Sequence, residues 1–257
     1  VNGFTGTLDF YDGTTKITPT AVAVTAGTCG GAPSAGVATA TLTSSATLLA
    51  AGDHAITGVF NGNGIFAASA PAASATPRTV TINAAPTSIS AVSATSTDSP
   101  IVLTSTVTLQ ATATSAFVDS VRGFEGHVDF FVDSSPTPVA TRSITPNGGA
   151  TSATASVDVL GSAIGLGTHT IRAQFLPVIP GNYVASPLST VSANVTVTAP
   201  TTTSIAFAPG SSSPIQIGGT ATLRATVTST ATVTGAVDFY NDTTKLTTTG
   251  PVTVNGS

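Results

Sequence analysis

Charge is scarce in this 257-residue chain: only 7% of its residues are charged, against about 25% in an ordinary soluble protein. Seven Lys and Arg are scattered among eleven Asp and Glu, for a net charge of −4. Nucleic-acid binding needs clustered cations to displace phosphate counterions, so that class is excluded. Trp and Met are absent, and cysteine occurs once, at Cys29. One cysteine rules out an intramolecular disulfide framework and a multi-cysteine zinc site. It leaves an inert thiol or a link between chains. Long apolar runs are missing too, since a stretch such as 175–180 falls far short of the ~18 residues a membrane span needs. No basic-then-apolar segment opens the chain, and with no Met anywhere the expectation is a fragment or a processed piece.

What fills the space is Thr, 50 residues of it, beside a hydrophobic fraction of 41%. That is enough apolar material for packed cores, so disorder through low hydrophobicity is not expected. The sequence also repeats itself. VNGFTGTLDF at 1–10 matches VRGFEGHVDF at 121–130, and TGAVDFYNDTTKL from Thr234 matches TGTLDFYDGTTKI from Thr5. Phe10, Phe130 and Phe239 are therefore one position met three times. GDHAITGVF from Gly52 matches GTHTIRAQF from Gly167, and GIFAAS from Gly64 matches GNYVAS from Gly181. STVTLQATATS from Ser105 pairs with GTATLRATVTS from Gly219. Fixed-period self-similarity is the signature of repeat architectures.

Pro-punctuated linkers near Ala85 and Pro200 divide the chain into segments 1–83, 84–199 and 200–257. The arithmetic makes the middle segment a complete unit. It makes the first one short of its opening strands and the third short of its closing ones. Within 84–199, runs rich in Val, Thr, Ile and Phe predict strands over 88–92, 102–114, 126–132, 138–144, 152–160, 168–175 and 191–198. No window carries a capped helical period. Seven short alternating strands in one such unit predict an all-β fold of tandem immunoglobulin-like β-sandwiches, one complete and two partial. Strand parity puts Phe130, Ile171 and Phe175 in the middle core, with Phe10, Phe60 and Phe239 as counterparts.

The G-x-V/L-D-F strand, the G-x-H-x-I strand and the small–aromatic–Ser step resemble the bacterial Ig-like repeat domains of large secreted and cell-surface proteins. The resemblance implies spacers in adhesins, stalks, fibres and multimodular secreted enzymes, with an extracellular or bacterial cell-surface location.

Several residues invite a chemical reading. His54 and His169 repeat, at the start of a strand and on its inward parity, which predicts rings bonded to turn backbone. Asp9, Asp129 and Asp238 repeat on the outward parity, one to each copy, so no two can act as paired acid and base. Asp129 is expected to pair with Arg172 on the neighbouring strand. Calcium would need more clustered oxygen ligands than Asp129 with Asp133, or Asp238 with Asp242, supply. Lys16 and Lys245 have no lysine counterpart in the middle copy, which argues against a Lys–Asn cross-link. No nucleophile or acid–base constellation is visible, so the chain reads as a non-enzyme without cofactor or metal.

Two functional classes remain. The first is a structural repeat of a surface fibre or stalk, its outer segments completed by neighbouring copies or adjoining chain, head to tail. The alternative is an adhesin or carbohydrate-binding module. Against that stand the absent Trp and an outward aromatic, Tyr11, Phe131 or Tyr240, that recurs three times. Such a repeated position suits an intermolecular packing contact, as Cys29 would if it linked chains. Glycans on its Asn-x-Thr/Ser sequons or its many hydroxyls are not specified by sequence.

Overall fold

The computed structural model describes residues 5–26, 38–43, 49–69, 76–117, 124–144, 149–178, 181–246 and 252–254. These are nearly all β, in antiparallel sheets. By its internal contacts the chain divides into two compact units. One comprises 1–93, 109–157 and 171–193, the other 94–108, 158–170 and 194–257.

The first segment contains β1 (Thr7–Asp12), β2 (Thr15–Lys16), β3 (Val22–Ala23), β4 (Thr25–Ala26), β5 (Ala38–Thr39), β6 (Gly52–Phe60) and β7 (Arg78–Ile82). They hydrogen-bond in the order β2-β1-β6-β7, with β3 also on β1 and β4 paired to β5. The register sets Leu8 opposite Phe60 and Phe10 opposite Gly58 on one face, and Asp9 opposite Val59 on the other. Alternation then decides what each face can bury. Phe10 and Phe60, expected in a core, are half-buried, while Asp9, expected outside, is buried. The Phe10 face lines an open groove of about 740 Å³ with Ile56, Gly58, Pro77 and Val80. Cross-strand polar partners close over Asp9 instead.

The described residues of the middle segment form seven strands: β8 (Ser88–Thr95), β9 (Thr106–Thr114), β10 (Gly126–Val132), β11 (Ala140–Ile144), β12 (Ser152–Leu160), β13 (Gly167–Pro177) and β14 (Ala193–Val197). One sheet runs β11-β10-β13-β14 and the other β12-β9-β8. Each buries alternate residues: Val107, Leu109, Ala111 and Ala113 on β9, Val128 and Phe130 on β10, Ile171, Ala173 and Phe175 on β13. Phe124, just before β10, is also fully buried, edge-on to Phe175 at 5.7 Å and stacked on Tyr183 at 4.7 Å. The repeated Ser after the aromatic step closes the strand end. Ser186 donates its N–H to the Phe175 carbonyl while its Oγ accepts from the Phe175 N–H. Ser69 treats Phe60 the same way.

One turn of helix, α1 (Gly161–Ile164), interrupts this pattern where no helix was expected. It has no side-chain N-cap. It is held from outside: Gly161 N–H donates to Ser105 O, Ser162 N–H to Leu103 O, and Ile164 is buried. The third segment contains β15 (Thr201–Phe207), β16 (Leu223–Ser229), β17 (Gly235–Val237), β18 (Tyr240–Asn241), β19 (Thr244–Lys245) and β20 (Val252–Val254). They form three two-stranded ribbons, β15-β16, β17-β20 and β18-β19. Phe239 falls between β17 and β18 and is half-buried.

The glycine that opens G-x-V-D-F has a steric reason. A Cβ at Gly126 would lie 2.2 Å from the Leu176 carbonyl oxygen, so Gly126→Ala must push β10 off β13. Phe130→Ala removes a fully buried ring and should cost about 3–5 kcal/mol. Urea denaturation should register both as lower midpoints. A Phe130→Ala midpoint equal to wild type would contradict the packing described.

Candidate functional site

The repeated Asp of the G-x-V-D-F strand is the centre of a polar cluster built by the following hairpin. The β1–β2 register pairs Tyr11 with Lys16 and Asp12 with Thr15, which brings Lys16 and Thr18 to the same side as Asp9. Lys16 Nζ lies 2.9 Å from Asp9 Oδ1. Thr18 Oγ1 donates to that oxygen at 3.3 Å, and Asn61 Nδ2 to the other at 3.2 Å. Thr18 Oγ1 also accepts from the Phe10 N–H. The Lys16 ammonium, with Asn61 and Thr18 behind it, holds the Asp9 carboxyl below the usual carboxylate range against the opposing effect of burial.

The third copy repeats the ion pair. Lys245 Nζ lies 2.9 Å from Asp238 Oδ2, and that hydrogen bond raises the lysine above its ordinary range. In the middle copy the hairpin differs: Thr141, opposite Asp129 in register, donates its hydroxyl to Asp129 Oδ1. His127 Nε2 stands 3.8 Å away. The expected Asp129–Arg172 pairing is corrected by the register, which sets Asp129 opposite Gln174 and Arg172 opposite Phe131. The Asp is thus a cross-strand acceptor for the hairpin that follows it, joined in the first copy by Asn61 from just beyond β6, rather than the partner of an arginine on the neighbouring strand. The signal was present as D-F-Y-x-x-T-T-K, but reading it needs the turn length that sets register.

His54 lies at the start of β6. Its Nδ1 is 2.6 Å from Asp12 Oδ2 and its Nε2 is 2.8 Å from the Ala50 carbonyl oxygen. Both partners accept, so both ring nitrogens are best used as donors and the imidazolium is favoured. The Asp12 hydrogen bond is the main cause of a raised pKa, with Ala50, and then the charges of Asp12 and Asp53, adding to it against burial. His169 Nε2 bonds the Leu166 carbonyl oxygen at 3.2 Å; at the Asp12 position the middle copy has Val132.

Of the recurring aromatics, Tyr11 and Phe131 are half-buried and Tyr240 is 56% exposed. Cys29 lies outside the described residues. Among the described residues no three His, Cys, Asp or Glu side chains gather to hold a metal. No described helix is long and apolar enough to cross a membrane. The sequence reading passed over two residues: Phe124, packed on Phe175 and Tyr183 inside the middle segment, and Asn182, whose Oδ1 accepts from the Ala51 N–H of the first. Their signal was the repeated G-F at 123–124 and the N-Y step at 182–183. No protein-family model matches the chain, and neither does any curated protein.

These clusters neutralise charge locally, and each carries a pH signature. Asp9, held low, stabilises above its unfolded pKa, and the gain is lost as pH falls through the folded one. His54, held high, contributes fully below about 6.5, and the gain is lost as pH rises through its folded pKa. NMR should find His54 titrating above 6.5 and Asp12→Asn moving it back down. A His54 that titrates below 6.5 in the intact chain would refute the double-donor geometry.

Proposed function

We propose that this chain is a structural, extracellular protein: tandem Ig-like sandwiches, the middle one complete and the outer two partial, forming part of a bacterial surface fibre or stalk. The outer segments are completed by neighbouring copies or by adjoining chain. The observation that carries this reading is the contrast between β9 and its copy β16. The two correspond residue for residue, because Ser115 Oγ donates to Pro86 O as Ser229 Oγ donates to Pro200 O. The Ser88–Thr114 hydroxyl pair likewise recurs as Thr202–Thr228. Leu109 is 0% exposed; its counterpart Leu223 is 42% exposed. Ala111 and Ala113 are buried, while Ala225 and Val227 are half-buried.

The first segment supplies the reciprocal surface. Its Phe10 and Gly58 correspond to the buried Phe130 and Ala173, yet they line an open groove. Apolar strand faces left in water cost about 25 cal/mol for each Å² that a partner would cover. Covering a β16-type face with a β1–β6-type face restores the pairing of buried faces that the middle copy has. Such contacts run head to tail, and where the rotation between copies does not close they extend into filaments.

Electron microscopy of the native material, with sedimentation of the 257-residue chain, tests the reading. The expected result is filaments or a concentration-dependent series of oligomers with a regular axial repeat. A chain that stays monomeric at high concentration, in native material without filaments, would overturn it. Binding on a glycan array would then favour a carbohydrate-binding module.

A further inference from the structure

We infer that the loop 181–184 of the middle repeat is a docking surface for the preceding repeat and that Asn182 is its positioning residue. The inference rests on the stalk reading above and names the contact that would stiffen such a stalk. The linker out of the first segment meets this loop through a single parallel bridge, Ala85 to Tyr183. Ala85 N–H donates to the Asn182 carbonyl oxygen at 2.8 Å, and Val184 N–H donates to Ala85 O at 2.8 Å. Thr87, two residues on and buried, donates its hydroxyl to Val184 O at 2.7 Å. The Asn182 side chain reaches past the linker to the first segment itself, where its Oδ1 accepts from the Ala51 N–H at 2.7 Å.

One residue therefore holds both the linker, through its backbone, and the body of the preceding repeat, through its amide. The loop that presents it is rigid for local reasons. Gly181 packs so closely that a Cβ would lie 2.2 Å from Val178 O, Tyr183 is buried against Phe124, and Ser186 is tied to Phe175. An acceptor fixed in this way needs little ordering when the linker adds, which is what makes a few hydrogen bonds enough to set an angle. The corresponding loop of the first segment is held differently: Asn63 Oδ1 caps the N–H groups of Ile65 and Phe66. There Ile65 is 75% exposed and Phe66 37% exposed, whereas Tyr183, bridged to the linker, is buried. The surface fits one kind of partner, a repeat of this same type arriving through an Ala-Pro-Thr linker.

The test uses the full chain in a Cys29→Ser background, spin-labelled at cysteines replacing the exposed Thr79 and Ser156. Wild type should give one narrow distance distribution. Asn182→Ala should broaden it at least twofold and speed amide exchange at Ala51 about tenfold, while the Phe130 and Phe175 amides stay protected. Thr87→Val, which exchanges the hydroxyl for a methyl, should broaden it less and serves should Asn182→Ala disturb folding. An unchanged distribution and unchanged Ala51 exchange in both variants would overturn the inference. Filament assays report separately: a stiff junction without filaments leaves this inference standing and removes the stalk.

Discussion

A strand with one apolar face is stable only when a second sheet covers that face, and this constraint governs everything else in the chain. On β9 every second residue from Val107 to Ala113 is withdrawn from water, and on β10 and β13 so are Val128, Phe130, Ile171, Ala173 and Phe175. Backbone pairing alone would not produce that result, since β15 and β16 are fully paired over seven residues and still expose Leu223, Ile205 and Phe207. Hydrogen bonding sets the register, and cover sets the burial.

This separation explains which features were legible in the sequence. Strand positions follow from period-two alternation and turn residues, both local, and β10 and β12 fall on the expected 126–132 and 152–160. Phe130, Ile171 and Phe175 follow from parity. Burial of Asp9 does not, because it depends on where the hairpin returns Lys16 and Thr18 and on Asn61 from the far end of β6. The half-burial of Phe10, Phe60 and Phe239 likewise depends on what covers a face, which no window of residues encodes. The helical turn at 161–164 is held by carbonyls of Leu103 and Ser105, about sixty residues away, and carries no cap to announce it. Asn182 was hidden for the same reason: its partners include Ala51 and Ala85.

The polar faces solve a second problem, how a sheet with so little charge keeps one register. Hydroxyls pair across strands: Thr112 with Thr154, Thr168 with Thr196, Ser88 with Thr114, Thr202 with Thr228. Others reach a carboxylate or an amide, as Thr108 does Asp158, Thr81 Asp53 and Thr170 Asn194. Each cross-strand pair adds roughly 0.2–1 kcal/mol and favours one register. Thr also brings a β-branched methyl that suits the pleat. The chain's many threonines thus do on the outer faces what ion pairs do in other proteins, without the salt dependence of exposed charge. Two ion pairs, Lys16–Asp9 and Lys245–Asp238, fasten the turn after the most repeated strand. The contact at Asn182 is of the same uncharged kind, made of backbone groups, one side-chain amide and the Thr87 hydroxyl. The contact pays little desolvation of charge and depends on hydrogen-bond geometry rather than on ionic strength.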